Sequence, residues 1–235
     1  MTSHSLALLD EYYARSLGGA ASDLNSAGVS IVAGPELKLR YAKGSPLAVY
    51  ALGKENGCLV SVRFDLAGPT EAVAKRCGDG TLCSEFCDAV EAELARNMLS
   101  PRWFRGQRLY CEQDKFVDHQ IRDVETVTES DDHGVHLHHK WNGEVFGQID
   151  DGQVVSWAAV KPLSDIIWDL SVETLPDYRG MGYGKSVVSA AMKHIFDNGK
   201  MAGWGTDLTN TGSLKIARAV GFEDYCLDFG CVEGK

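Results

Sequence analysis

Apolar residues recur at helical spacing in several stretches of the chain and at strand spacing through much of the rest. In residues 5–17, Leu6, Leu9, Tyr13 and Leu17 share one stripe, which predicts a helix ended by Gly18-Gly19. Short apolar runs at 30–32, 37–41, 47–52 and 58–64, punctuated by Gly and Pro, read as strands. A second helix is predicted over 82–98, where Leu82, Phe86, Val90 and Leu94 lie down one side, and 108–111 reads as a further strand.

From Asp114 the pattern changes. Residues 121–127 read as a strand, followed by a polar loop at 129–132. Apolar runs at 144–149 and 153–160 flank Asp150-Asp151-Gly152, which predicts a hairpin. Residues 166–174 supply the next strand. Val187, Val188, Ala191, Ile195 and Phe196 then mark the buried face of a helix over 184–198, stopped by Asp197-Asn198-Gly199 with Gly199 at C′. A strand at 201–206 contains Trp204, and Asn210-Thr211-Gly212-Ser213 opens a short helix that ends at Val220-Gly221-Phe222. With 235 residues the chain can build one large or two small cores. The change of pattern divides it into a lobe of 1–113, which carries no recognisable catalytic motif, and a domain of 114–235. No internal repeat or low-complexity tract is present.

The segment Val172-Glu173-Thr174-Leu175-Pro176-Asp177-Tyr178-Arg179-Gly180-Met181-Gly182-Tyr183-Gly184-Lys185 joins a strand to a helix through a glycine-dense loop. Amides that converge at a helix N-terminus, where the helix dipole adds partial positive charge, bind phosphate groups. A Walker loop needs G-x-x-x-x-G-K-[ST]; Gly184-Lys185-Ser186 matches its end, but the opening glycine falls on Arg179. A dinucleotide fingerprint needs G-x-G-x-x-G, and after Gly180 and Gly182 its third glycine falls on Lys185. Arg179, Gly182 and Gly184 satisfy [QR]-x-x-G-x-[GA]. With V-x-T-x-P-x-x-R-G-x-G-x-G followed by helix, strand, N-x-x-S, helix and G-F, residues 114–235 resemble the GNAT (Gcn5-related N-acetyltransferase) superfamily, whose acyl-CoA pyrophosphate loop has this form.

The resemblance implies an α/β (α+β) fold: a mixed, mostly antiparallel sheet with splayed parallel strands and flanking helices, plus an N-terminal α/β lobe that is either a degenerate copy or an accessory. It implies an N-acetyltransferase with acetyl-CoA as co-substrate and direct attack by an amine. In GNAT enzymes the donor lies where two parallel strands part, which assigns Leu170, Val172 and Thr174 to the donor-facing stretch. The backbone of Arg179, Gly180, Met181, Gly182, Tyr183, Gly184 and Lys185 would take the pyrophosphate. A backbone N–H near Val172 would stabilise the oxyanion. Asn210 and Ser213 are candidate contacts to the pantetheine arm, with capping of the last helix as the competing role. For the base, Asp169 is the first choice because apolar neighbours beside Trp168 would desolvate it; Glu173, on the same strand face, and Glu144 are the others. The tyrosine that many GNAT enzymes place five residues before the phenylalanine of the G-F pair is Ala217 here. Tyr183, Tyr178 and Tyr225 are the candidate replacements as general acid. The missing tyrosine keeps a non-catalytic acyl-CoA-binding or sensing module as the alternative function.

A formal charge of −10 argues against a nonspecific nucleic-acid partner. Neither a basic, apolar leader nor an apolar run of the ~20 residues needed to cross a bilayer is present, so the expected location is the cytoplasm, without a membrane partner. Seven irregularly spaced cysteines fit a reducing compartment rather than a disulfide framework. His133, His136, His138 and His139 lack a cysteine or carboxylate at a metal-ligand spacing, and no metal is expected. Trp141, Trp157 and Trp204 are expected in packing. The expected acceptor is a small-molecule amine, with a protein or peptide amine also open; a homodimer follows by analogy alone.

Overall fold

The computed structural model describes residues 3–34, 47–77, 81–98, 100–121, 123–128 and 142–233. The predicted strand at 37–41, the loop at 129–132, the histidines His133, His136, His138 and His139, and Trp141 lie outside the described residues. The chain forms two compact units, Met1–Gln107 with Tyr225–Lys235, and Arg108–Asp224.

The first unit contains helices α1 (Ser3–Ser16), α2 (Ala21–Asn25), α3 (Phe64–Cys77) and α4 (Ser84–Leu94). Its strands are β1 (Gly28–Gly34), β2 (Leu47–Gly53), β3 (Gly57–Arg63), and the parts of β4 (Arg102–Cys111) and β10 (Glu223–Val232) that fall within it, in the order β1-β3-β2-β10-β4. Strands β1 and β3 pair in parallel, and β2 is antiparallel to both β3 and β10. Every residue of β2 is buried, which is why it reads as a continuous apolar run rather than an alternation.

Two elements here escape the periodicity. Helix α3 follows β3 without a linker, and Gly68-Pro69 in its second turn resembles a loop signal. Leu66, Thr70 and Val73 nevertheless form a buried face, and the Thr70 hydroxyl donates to the Leu66 carbonyl at 2.7 Å. Strand β10 carries Asp228 among apolar residues; the Tyr50 hydroxyl donates to its Oδ2 at 2.9 Å, which lets the carboxylate be buried. The predicted helix over 82–98 is shorter, ending at Leu94 and followed by a 3₁₀ turn, Ala95–Asn97.

None of the seven cysteines is in a disulfide; Cys77 and Cys83 are partly accessible and the other five are buried. Desolvation pushes the Cys87, Cys111 and Cys231 thiols up to about 12, and the Cys58 thiol is raised further. Ellman's reagent should therefore titrate two thiols rapidly in the native protein and the other five only after denaturation.

The second unit holds the end of β4, then β5 (Glu125–Thr126), β6 (Val145–Asp150), β7 (Gln153–Pro162), β8 (Ile167–Thr174), α5 (Tyr183–Asp197), β9 (Met201–Asp207) and α6 (Thr211–Ala219). The strand order is β4-β9-β8-β7-β6-β5, antiparallel from β5 to β8 and parallel between β8 and β9. The β6–β7 hairpin turns through Asp151 (φ 47°) and Gly152 (φ 77°), the paired positive angles that a two-residue turn requires. Helix α5 lies on one face of this sheet, where Val187, Val188, Ala191, Met192 and Ile195 pack with Ala158, Val160, Leu170, Ala202 and Trp204. Ile195→Ala should destabilise the protein by about 2–5 kcal/mol, seen as a lower denaturation midpoint.

The predicted strand at 121–127 shrinks to Glu125–Thr126. The segment ahead of it is strapped to the helices instead. Val117 N–H donates to Val220 O at 3.1 Å, His119 N–H to Ser189 Oγ at 2.9 Å, and Ile121 N–H to Ser186 Oγ at 3.3 Å. Those donors are thereby withdrawn from any β ladder.

Candidate active site

Strands β8 and β9 pair at Ile167↔Met201, Trp168↔Ala202 and Asp169↔Gly203, and there the pairing stops. Both strands continue, β8 to Thr174 and β9 to Asp207. The far edge of β8 stays in register with β7 as far as Ser156↔Thr174. The result is a cleft whose β8 wall presents backbone groups rather than side chains. Leu170 is buried and Val172 half-buried, both packed in the α5 core. Thr174 sits at the end of that face, its hydroxyl 2.8 Å from the hydroxyl of fully buried Ser156.

At the open end the chain makes a 3₁₀ turn, Pro176–Tyr178, and enters the glycine loop. Gly182 is the N-cap of α5 at φ 85°, a left-handed conformation that a residue with a Cβ adopts at a cost. Its carbonyl accepts the first helical bond, from Ser186 N–H at 3.1 Å, so the amides of Gly184 and Lys185 lie ahead of the helical ladder. Space at Gly184 is tight: a Cβ there would lie 3.1 Å from Ile216 Cδ1 and 3.2 Å from Thr174 Oγ1, so those side chains would have to shift. Gly180 also has positive φ, and Met181 is exposed. Arg179 folds back and its Nε donates to the Thr174 carbonyl at 3.0 Å, tying the loop to the end of β8. Ser186 is fully buried and accepts from Ile121, so the Gly184-Lys185-Ser186 tail of the Walker pattern has a structural use.

At the start of α6, Asn210 Oδ1 accepts from Ser213 N–H at 3.1 Å, an N-cap. The Ser213 hydroxyl accepts from Trp204 Nε1 at 3.0 Å. Asn210 is exposed and Trp204 buried in the core, with Phe222 edge-on to it at 5.3 Å.

On the sheet face away from α5, Asp169 is 6% exposed. Its Oδ2 accepts from Arg108 Nη1 at 2.9 Å, and its Oδ1 is buried without a hydrogen-bond partner. Glu173, four residues on, is exposed beside Trp157. Glu144 lies just ahead of β6 and is exposed. Ala217 is fully buried in the α5–α6 core. Of the phenols, Tyr225 belongs to the other unit and donates to Asp10 Oδ1 at 2.7 Å; desolvation raises it far above the ordinary value. Tyr183 is buried at the first position of α5, with the Tyr178 ring 6.3 Å away. Partial burial, and then the carboxylates of Asp150, Asp151 and Asp177, raise the Tyr178 phenol. Among the described residues no group of three or more His, Cys, Asp or Glu side chains converges as a metal site would require.

A parallel pair that opens after three rungs, with a glycine loop and a helix N-terminus at the open end, is the arrangement of the GNAT fold. The chain belongs to the acetyltransferase (GNAT) family, whose model matches residues 101–222, and this family carries out acetyl transfer. A GCN5-related N-acetyltransferase from Kribbella flavida superposes with a TM-score of 0.53 at 14% identity, covering 98% of this chain and 96% of that one. A GCN5-related N-acetyltransferase-like protein from Streptococcus suis gives 0.51 at 19% identity, covering 83% and 87%. A GNAT-family protein from Novosphingobium aromaticivorans, at 17% identity and TM-score 0.49, is covered over 66% of its length by 57% of this chain. At these identities the likeness to the first two is one of fold. No curated protein matches the sequence. No helix among the described residues is long and apolar enough to cross a membrane.

Proposed function

We propose that the chain is an acetyl-CoA-dependent N-acetyltransferase in which an amine attacks the thioester directly. The observation that supports this reading most is the coincidence of the β8–β9 opening with the glycine loop at its wide end. The edge of β8 turned away from β7, which has no rung to β9 beyond Asp169, would pair with the pantetheine arm over residues 170–174 as an added strand does. The amides from Arg179 to Lys185 would hold the diphosphate, and the Asn210 side chain, spare at its amide end, would meet the pantetheine. Arg179, already bound to the Thr174 carbonyl, would set the loop's shape as much as its charge.

The amine must arrive unprotonated. Of the two carboxylates on the outer face of β8, Glu173 is open to solvent, whereas Asp169 is turned onto Arg108 and Gly203. Glu173 is therefore proposed to remove the ammonium proton, directly or through one water. The amine nitrogen then forms the N–C bond, and the carbonyl oxygen takes up negative charge against a backbone N–H near Val172, an effect of about 3 kcal/mol. The C–S bond breaks as the carbonyl re-forms, the nitrogen, cationic again after its attack, sheds a second proton to water, and the thiolate takes a proton from Tyr183 or from solvent; a thiol pKa of about 8.5 makes either route workable. The acceptor is proposed to be a small-molecule amine, or else a peptide amine, in a reducing compartment.

Buried Ala217, in the place of the usual phenol, favours one second reading, a non-catalytic acyl-CoA-binding module. Isothermal titration with acetyl-CoA and thiol release over a panel of spermidine, L-lysine, aminoglycosides and lysine peptides separates the two. Binding with turnover on any panel member supports the enzyme, binding without turnover supports the module, and no binding at millimolar acetyl-CoA contradicts both.

A further inference from the structure

The Arg108–Asp169 pair is unusual in its placement. Arg108 lies on β4, Asp169 on β8, and β9 runs between them. The guanidinium reaches across β9 because that strand has no side chain at two alternate positions on this face. A Cβ at Gly203 would stand 2.1 Å from Asp169 Oδ1, and one at Gly205 would stand 3.0 Å from Arg108 Nη1. The two side chains are 21% and 9% exposed, and Asp169 Oδ1 finds no partner. A pair so desolvated, with a lone pair unsatisfied, is no better for stability than apolar residues of the same volume. Its location is more telling: Asp169↔Gly203 is the last rung before β8 and β9 part.

We propose that Arg108 is a positioning residue for acetyl transfer, which clamps β8 against β9 through Asp169 and so fixes where the cleft begins. The inference rests on the transferase reading above. Beyond Asp169 the inner edge of β8 has no further rung to β9, so the last rung sets how the β8 backbone, with any thioester paired to it, stands relative to β9. A shift of about 1 Å between reacting groups costs on the order of 100-fold in rate. The diphosphate loop is held separately, by Gly182, Arg179 and the α5 N-terminus, so loss of the clamp should spare donor affinity.

Arg108→Met tests this, with Gly205→Ala as a second variant that crowds the guanidinium without removing its charge. Active sites are counted by acetyl-CoA titration, and turnover is followed by thiol release with the best amine of the panel. The expected result is a fall in kcat per acetyl-CoA-binding site of at least 30-fold in Arg108→Met, a smaller fall of the same kind in Gly205→Ala, and acetyl-CoA Kd within threefold of wild type in both. If Arg108→Met does not fold, Gly205→Ala carries the comparison alone. A kcat per binding site within twofold of wild type in the folded variants, or a fall matched by lost acetyl-CoA affinity, would overturn the inference and leave the transferase reading standing. Wild-type protein that fails to bind acetyl-CoA, or binds it without turnover on the panel, would overturn that reading and the inference together.

Discussion

Replacing Gly182 by valine should abolish acetyl-CoA binding while leaving the protein folded. The residue caps α5 at φ 85°, which a β-branched side chain resists, and its Cβ would come 3.1 Å from Ile121 Cδ1. Relief requires the backbone to rotate out of the left-handed region, which turns the amides ahead of the helical ladder away from a shared point. Each 1.4 kcal/mol lost is tenfold in affinity, and the loss of two or three charge-assisted amide contacts gives a weakening of about 100-fold or more. The rest of α5 is anchored through Val187, Val188, Ala191, Met192 and Ile195, so circular dichroism and the thermal midpoint should change little. Unchanged affinity in a folded Gly182→Val protein would mean that the donor's diphosphate binds elsewhere.

Glu173→Gln should produce the second large effect, on turnover rather than binding. Removing a general base lowers kcat by about 10²–10⁴-fold. Because Glu173 is exposed and its side chain points away from the α5 core, neither stability nor acetyl-CoA Kd should move appreciably. The loss should shrink as pH rises, since more of the acceptor is then already neutral. Full activity in a folded Glu173→Gln protein would show that Glu173 is not the base.

Much of the second unit was legible because its elements agree locally and globally. The hairpin around Asp151-Gly152, the buried face of α5 and the stop at Gly199 each follow from a period or a turn requirement, and the observed bounds differ from the expected ones by one or two residues. The glycine loop was legible for the same reason: its spacing encodes backbone conformation, which sequence records directly. What was not legible depends on partners distant in sequence. Asp169 reads as a desolvated carboxylate from its neighbours, yet its environment is made by Arg108, 61 residues away, and by glycines on a strand between them. A strand with Gly203 and Gly205 on either side of Trp204 was the available signal, since alternate glycines leave one face bare. The burial of Ser186 and Ser189 on α5 is likewise made by distant partners, the amides of Ile121 and His119, which donate to their hydroxyls. Helix α3 and strand β10 were missed because Gly68-Pro69 and Asp228 interrupt patterns that tertiary contacts then restore.

The most direct measurement of the central claim is a crystal structure of this protein with acetyl-CoA. The diphosphate oxygens should lie within about 3 Å of main-chain nitrogens between Gly180 and Lys185, with the pantetheine along residues 170–174 of β8. A donor whose diphosphate lies against another surface, with the loop amides turned to other partners, would contradict the account.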